Sequence, residues 1–290
     1  MSSSKILVLS LPRSGSSFIT QVIADSGYQP SLFAKPEAKF SAHEFNKHGY
    51  YEDVPFTLLN DQLLKLYFGM EYSFLYPPSH QDFQKIHKSA ITNLPEDFHY
   101  DVDEKTVFIP KNFTENVEDF TGTDWDVWGI TRMVNGGKWQ NCYIKNQMAT
   151  KNDILTRKED YKRRIEQTDY DLVLKDPRLA LTLPLYNLEN VKIVWIKRKP
   201  QDTLASMRRH YGPRMFTDEL MPNTPYVSNH FNHKVQPMSF EEYLDRYEKA
   251  IEYSLSKYPH CIVYFDDLAA QKNLQELEEF IGKPIQYKTA

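Results

Sequence analysis

A turn of small polar residues follows the first apolar stretch of the chain and has the composition of an anion-binding site. The turn spans residues 12–17, between an apolar run at 5–11 and a segment with apolar residues at helical spacing. The first amides of a helix have no partners within the helix, and its dipole places partial positive charge beside them. We therefore expect a phosphate or sulfate group to be bound here, by Arg13, Ser14, Gly15, Ser16 and Ser17.

Two features limit the interpretation of this turn. The loop of nucleotide kinases ends in Gly-Lys-Ser/Thr, so that the lysine reaches the transferred phosphate, and no lysine closes the turn here. The serines could also serve only to cap the helix that follows the strand. The turn alone leaves both interpretations open.

A second pair of residues has a spacing that suits anion binding. Arg198 follows the apolar run 191–196, and Ser206 comes eight residues later in a helix that Pro200 starts at the favoured first position. Ligands of open α/β sheets bind at the carboxyl ends of the strands. We therefore expect Arg198 and Ser206 at the same sheet edge as the turn, where two anion sites suit a nucleotide that is phosphorylated at two positions.

Four apolar runs alternate with helical patterns and predict a parallel sheet covered by helices. The runs are residues 5–11, 171–175, 191–196 and 261–265. The first predicted helix follows the turn and ends at Gly27. Further helices are predicted to start at Val54, Ser79, Pro200 and Ser239, with Asp82 and Glu242 as the capping partners of Ser79 and Ser239. One more contains Ile154, Tyr161 and Ile165, and the last ends near Gly282.

Length and composition indicate one large α/β domain over residues 1–290. The 290 residues are 41% hydrophobic and 14% aromatic, which suffices for a sizeable core. The formal net charge of -4 argues against a surface that binds nucleic acid, although a local basic pocket is compatible with it. With only Cys142 and Cys261, no disulfide framework is expected.

The sequence predicts a cytoplasmic protein without a membrane partner. The first strand follows Met1 almost at once, which leaves no room for a signal peptide, and no apolar stretch approaches the length of a membrane span. His230 and His233 lack a third ligand, so we expect no metal site there. The oligomeric state is not predicted.

Together, the two anion-binding patterns resemble those of sulfotransferases that use 3′-phosphoadenosine 5′-phosphosulfate (PAPS). In that family a Pro-Lys/Arg-Ser-Gly-Ser/Thr turn binds the 5′-phosphosulfate, and an Arg with a Ser eight residues later binds the 3′-phosphate. Residues 46–52, 175–178 and 264–268 also resemble bacterial members. The resemblance implies a three-layer, P-loop-like α/β fold with a central, mainly parallel sheet flanked by helices. It also implies PAPS as the sulfuryl donor, 3′-phosphoadenosine 5′-phosphate (PAP) as the product, and no metal.

Two segments depart from the animal-type cytosolic members of that family. Lys175-Asp176-Pro177 stands where they carry a Lys-Thr-His-like triplet, so the usual histidine base is absent. Nothing after Leu268 matches their Gly-rich Arg-Lys-Gly segment over the 3′-phosphate. The catalytic base and the cover of the nucleotide therefore stay open.

The candidates for the base are Glu52, His43 and Glu44, which lie between the first helix and the next. Glu52 ranks first, because its flanking residues resemble a bacterial sulfotransferase segment and a carboxylate in a partly closed pocket can have a raised pKa. The alternative is that Glu52 and Asp53 only stabilise the N-terminus of the next helix. Sulfuryl transfer depends mostly on positioning and charge stabilisation, to which Lys175 is expected to contribute beside the turn.

Residues 94–150 interrupt the alternation of strands and helices, and we interpret them as an inserted cap. Acidic residues gather between Glu96 and Asp126 among aromatic side chains, a mixture that could hold a cation. It favours a small neutral or cationic alcohol or amine as the acceptor. Arg132 and Lys138 leave an anionic acceptor open, and a solvated acidic loop is the structural alternative.

Two functional hypotheses follow from the sequence. The favoured one is a PAPS-dependent sulfotransferase that acts on a hydroxyl or amine of a small molecule. The other is a catalytically silent nucleotide-binding or scaffold protein on the same fold, which kept the turn and lost the histidine.

Overall fold

A computed structural model of the chain describes residues 3–30, 32, 52–69, 72–88, 94–101, 107–110, 126–134, 139–145, 148–211, 213, 216 and 238–287. Within them the strands are β1 (Lys5–Leu9), β2 (His99–Asp101), β3 (Val107–Pro110), β4 (Asp126–Val134), β5 (Trp139–Lys145), β6 (Met148–Thr150), β7 (Leu172–Lys175), β8 (Val191–Lys197) and β9 (His260–Tyr264). The helices are α1 (Ser16–Asp25), α2 (Val54–Phe68), α3 (His80–Lys88), α4 (Lys151–Gln167), α5 (Leu179–Tyr186), α6 (Pro200–Tyr211), α7 (Phe240–Leu255), α8 (Phe265–Ala269) and α9 (Gln275–Ile281).

The central sheet is parallel throughout and has the strand order β7-β1-β8-β9. Its side chains alternate between two faces, as strand geometry requires. In β1, Ile6 and Val8 belong to one apolar cluster, whereas Leu7 and Leu9 belong to the other. All four side chains are fully buried, as the apolar run predicted.

Helices cover both faces of this sheet, which confirms the predicted α/β fold. On one face α1, α8 and α9 contribute Ile19, Ile23, Leu268 and Leu277. On the opposite face α2, α4, α5 and α7 contribute Phe56, Ile154, Leu181 and Tyr247. Burying a large apolar side chain stabilises the fold by ~1.5–3 kcal/mol, so these two clusters fix the sheet and, with it, the positions of the strand ends.

Around the central sheet, two elements differ from the sequence-based expectation. The fourth strand ends at Tyr264, and Phe265 begins α8 instead of ending the strand. Helix α5 was not predicted, because its residues are apolar on all sides and Pro184 lies inside it. A helix without a polar face shows no helical period in its sequence.

Hydroxyl and carboxylate caps start several helices. The Ser79 and Ser239 hydroxyl oxygens accept hydrogen bonds from the amides of Asp82 and Glu242 at 3.2 and 3.1 Å, as their spacing predicted. The Asp53 carboxylate accepts from the amide of Phe56 at 3.1 Å and caps α2. A cap of this kind is worth about 1 kcal/mol.

The inserted segment contains strands that its irregular sequence pattern did not predict. β2 pairs antiparallel with β6, and β3, β5 and β4 form an antiparallel sheet in that order. Most acidic side chains of residues 96–126 lie outside the described residues. The interpretation of residues 94–150 as a cap therefore stays a prediction.

None of the described helices is long and apolar enough to cross a membrane. In the same parts of the chain, no three His, Cys, Asp or Glu side chains are grouped in a way that could hold a metal ion. His230 and His233 lie outside the described residues.

Candidate active site

The turn after β1 forms a tight loop at the carboxyl end of that strand. The Ser14 hydroxyl and amide both donate to the carbonyl oxygen of Leu11, at 2.7 and 3.3 Å. Arg13 and Gly15 adopt the left-handed conformation, with φ of 66° and 99°, and α1 begins at Ser16. The Ser14 hydroxyl thus holds the loop in shape, while the loop leads directly into the first amides of α1, where anions bind favourably.

Arg198 and Ser206 lie against this turn, as predicted from the strand-end position of Arg198 and from the helix that starts at Pro200. Arg13 Nε donates a long hydrogen bond of 3.4 Å to Ser206 Oγ, and Arg198 Nη1 donates to the carbonyl oxygen of Arg13 at 3.2 Å. The turn and the Arg198 segment are thus far apart in the sequence and are brought together by the fold. We call residues 13–17 together with Arg198 and Ser206 the anion rim.

The Arg198 guanidinium is partly withdrawn from water. Burial lowers its pKa, an effect that the nearby Asp202 opposes. Its Nε is buried without a hydrogen-bond partner among the described residues. A buried donor without a partner is unfavourable, and a charged acceptor would satisfy it. The rim is therefore suited to an arriving anion.

Phe265 is a rim neighbour that the sequence did not identify. Its ring lies against Gly15, and the Arg198 guanidinium carbon stands 4.5 Å from the ring centroid. Two sequence signals point to it: Phe265 directly follows a strand of the central sheet, whose carboxyl edge carries the other rim residues, and it lies in the segment 264–268 that resembles bacterial sulfotransferases.

Lys175 and Glu52, two of the predicted catalytic residues, form a buried ion pair at the end of β7, the strand beside β1. Their side chains are 3% and 10% exposed. Asp53, and not Glu52, caps α2. Glu52 lies just before that helix and contacts Lys175 Nζ through Oε1, so the two acidic residues have different structural surroundings.

Asp176 follows Lys175 in the chain and lies in a buried hydrogen-bonded network. Its Oδ1 accepts from the amide and from Nη1 of Arg178, both at 3.1 Å, and its Oδ2 accepts from Asn60 Nδ2 at 2.8 Å. Arg178 Nε also donates to Asp61 Oδ1 at 3.3 Å. We call Glu52, Asp61, Lys175, Asp176 and Arg178 the ion-pair cluster.

Burial raises the pKa of the Asp176 carboxyl to about 6; Arg178 opposes this increase and the charge of Glu52 adds to it. Arg178 is shared between Asp176 and Asp61, and these carboxylates raise its pKa despite its burial. Arg178 therefore stays protonated. Of the two residues, Asp176 is the one whose charge changes near neutral pH.

The family model described as the sulfotransferase domain matches residues 3–290 of this chain. The chain belongs to the sulfotransferase domain family. Comparison with curated proteins and with solved structures gave no match.

As a member of the sulfotransferase family, the chain has a frame for sulfuryl transfer in which the strand ends carry the polar residues. The rim residues Arg13, Arg198 and Ser206 come together, and so do Glu52 and Lys175. His43 and Glu44 lie outside the described residues. Sequence reasoning missed Asn60 and Asp61, because they are distant in the chain from Asp176 and Arg178. It also missed the pairing role of Arg178, because buried charges have no periodic pattern.

Proposed function

We propose that this sulfotransferase moves a sulfuryl group from PAPS to a hydroxyl or amine of a small-molecule acceptor. The observation that carries the proposal is the meeting of the Arg13 turn with Arg198 and Ser206 on one sheet edge. A nucleotide with phosphate groups at its 5′ and 3′ positions needs two such cationic contacts. ATP has no 3′-phosphate, and the turn has no lysine for a transferred γ-phosphate.

The rim accounts for binding of the donor and for stabilisation of the leaving group. The amides at the start of α1 and the Arg13 guanidinium bind the 5′-phosphosulfate, and Arg198 and Ser206 bind the 3′-phosphate. Charge that develops on the oxygen between phosphorus and sulfur is stabilised by donors that are already in place. Lys175, at the end of the neighbouring strand, adds positive charge on the same side.

Glu52 is proposed as the base. It takes the proton of the acceptor O–H or N–H as the new bond to sulfur forms, and the bond from sulfur to the phosphate oxygen breaks to release PAP. Glu52 contacts Lys175 before the donor binds. In the reaction the Lys175 ammonium moves its hydrogen bond to the leaving oxygen, which frees the carboxylate for the proton.

The silent-binder hypothesis has an observation in its favour. The carboxylate proposed as the base is engaged in a buried ion pair, and the triplet that resembles the family's catalytic segment has no histidine. In this second hypothesis the ion pair is permanent, and the protein binds PAPS and PAP without transfer.

The acceptor is proposed to be a small neutral or cationic alcohol or amine. The proposal comes from the acidic and aromatic composition of residues 96–126. Matched acceptors that differ only in charge should be assayed with the wild type and with Asp124→Asn and Asp126→Asn. If anionic acceptors react best, or if neither variant changes the preference, the acidic run does not select the acceptor.

The test of the proposed function is an incubation with sulfur-labelled PAPS and a panel of alcohols and amines. We expect the label on an acceptor and an equal amount of PAP, with no requirement for added metal. Tight PAP binding without transfer to any acceptor would favour the silent binder. Failure to bind PAP at all would contradict both hypotheses.

A further inference from the structure

The ring of Phe265 fills the space beside Gly15 in the anion rim. A Cβ atom placed on Gly15 would come within 2.2 Å of Cδ2 and 2.7 Å of Cε2 of this ring. Both distances are far below van der Waals contact. Gly15 is therefore required by its φ of 99° and also by the ring that packs against it.

The same ring supports the second half of the rim. The guanidinium carbon of Arg198 stands 4.5 Å from the ring centroid, within the range of cation–π attraction. Arg198 in turn donates to the carbonyl oxygen of Arg13. One aromatic side chain thus contacts the loop expected at the 5′-phosphosulfate and the arginine expected at the 3′-phosphate.

Neighbouring groups hold the ring in this position. Phe18 of α1 packs edge-on against it, with the ring centroids 6.1 Å apart and an angle of 66° between the planes. The Tyr287 ring contacts that of Phe18, and its hydroxyl donates to the carbonyl oxygen of Leu268 at 2.8 Å.

We infer that Phe265 is a positioning residue that holds the Gly15 loop and Arg198 in their binding arrangement and thereby couples the two phosphate contacts; this rests on the proposed function. The physical reason is that the positive charges of Arg209 and Arg13 act against the Arg198 guanidinium, although Asp202 and Asp266 counter them. An aromatic face beneath Arg198 offsets part of this repulsion, so less reorganisation is required when the nucleotide binds.

The experiment is a double-mutant cycle on PAP affinity, measured by calorimetry with the full chain. Its four proteins are the wild type, Phe265→Ala, Arg198→Ala and the double variant. We expect Phe265→Ala to weaken PAP binding ~3- to 30-fold. In the Phe265→Ala background, the further loss caused by Arg198→Ala should be at least ~3-fold smaller than in the wild type, because Arg198 is no longer held in place.

Three further variants separate positioning from general stability. Phe265→Tyr keeps the ring and should keep the coupling. Phe265→Leu keeps the apolar volume if the alanine variant fails to fold, and it should lose the coupling because it has no aromatic face. Phe280→Ala is the matched control, since Phe280 also packs in this apolar cluster beneath a cation, Lys192, at 5.2 Å. It should lower the melting temperature and leave the effect of Arg198→Ala unchanged.

Additive effects of Phe265 and Arg198 substitutions, with PAP still bound by the wild type, would overturn the positioning role and leave the proposed function intact. Equal loss of coupling in Phe280→Ala would also overturn it, since the effect would then be one of overall packing. A wild type that does not bind PAP would overturn the positioning role and the proposed function together.

Discussion

The anion rim and the ion-pair cluster lie at the ends of neighbouring strands, yet their positive charges have different partners. In the rim, the described hydrogen bonds of Arg13 and Arg198 go to a hydroxyl and a carbonyl oxygen. In the cluster, Lys175 and Arg178 contact carboxylates. Both cations of the cluster are paired with carboxylates, whereas the rim is suited to an anion from outside. Substitutions in the cluster should therefore cost stability, and substitutions in the rim should cost affinity.

Substitution of Arg178 should give the largest change in stability, and it distinguishes the ion-pair cluster from the anion rim most clearly. Arg178→Met removes this cation from the buried Asp176, while Asp61 keeps Lys65 at 3.0 Å. The loss at Asp176 should lower the free energy of unfolding by ~3–5 kcal/mol. Denaturant titration measures this loss. The control is Arg198→Ala, which should change stability by less than ~1 kcal/mol because the guanidinium is partly exposed. Equal losses in the two variants would remove the proposed difference between the regions.

The pKa of Asp176 makes the cluster sensitive to pH. Because its pKa rises from 3.8 to about 6 on folding, the folded state binds the proton more strongly than the unfolded state does. This stabilisation is fully present below pH 3.8 and is lost as the pH rises through about 6. Between pH 4 and pH 7 the wild type should thus lose up to about 3 kcal/mol of stability relative to Asp176→Asn.

Urea titrations of both proteins across this pH range test the sign and the size of that change. A wild type that gains stability relative to Asp176→Asn as the pH rises would show that Arg178 outweighs burial at this carboxyl.

Glu52 tests whether the cluster also takes part in the chemistry. Glu52→Gln keeps the shape of the side chain and removes its basicity, so turnover should fall by ~10²-fold or more while PAP affinity is retained. Steady-state kinetics and PAP titration measure the two quantities. Asp53→Asn is the matched control, because Asp53 precedes the same helix but caps it and should leave turnover close to that of the wild type. Near-normal turnover of Glu52→Gln would transfer the role to His43, Glu44 or Asp176.

The sequence predicted the regions that depend on local pattern. The strands of the central sheet are apolar on both faces, and Ser79 and Ser239 stand at the spacing of helix caps, so periodicity and turn chemistry suffice to find them. The rim was predicted because its two halves each carry an anion-binding pattern at a strand end.

The remaining parts depend on contacts between distant residues. Phe265 matters because its ring reaches Gly15 and Arg198, and the spacing of apolar residues within one strand gives no sign of such a contact. Asn60 and Asp61 are polar residues within a helical pattern, and only the fold brings them to Asp176 and Arg178. Helix α5 has no polar face and therefore no visible period.

The central claim is that the rim binds a nucleotide through both a 5′ and a 3′ phosphate group, and Arg198→Ala tests it most directly. Loss of a charge-assisted contact at a partly buried site should weaken PAP binding by ~1.5–3 kcal/mol, which is roughly 10- to 150-fold. The affinity for adenosine 5′-phosphate, which lacks the 3′-phosphate, should change much less. The matched control is Lys199→Ala, since Lys199 is exposed and paired with Asp266.

Calorimetric titration of the wild type, Arg198→Ala and Lys199→Ala with both nucleotides gives the answer in one set of measurements. We predict that Arg198→Ala loses much of its affinity for PAP but little of its affinity for adenosine 5′-phosphate. Lys199→Ala should bind both nucleotides as the wild type does. Equal losses for PAP and adenosine 5′-phosphate in Arg198→Ala, or no loss for either, would contradict the assignment of the rim as a site for both phosphate groups.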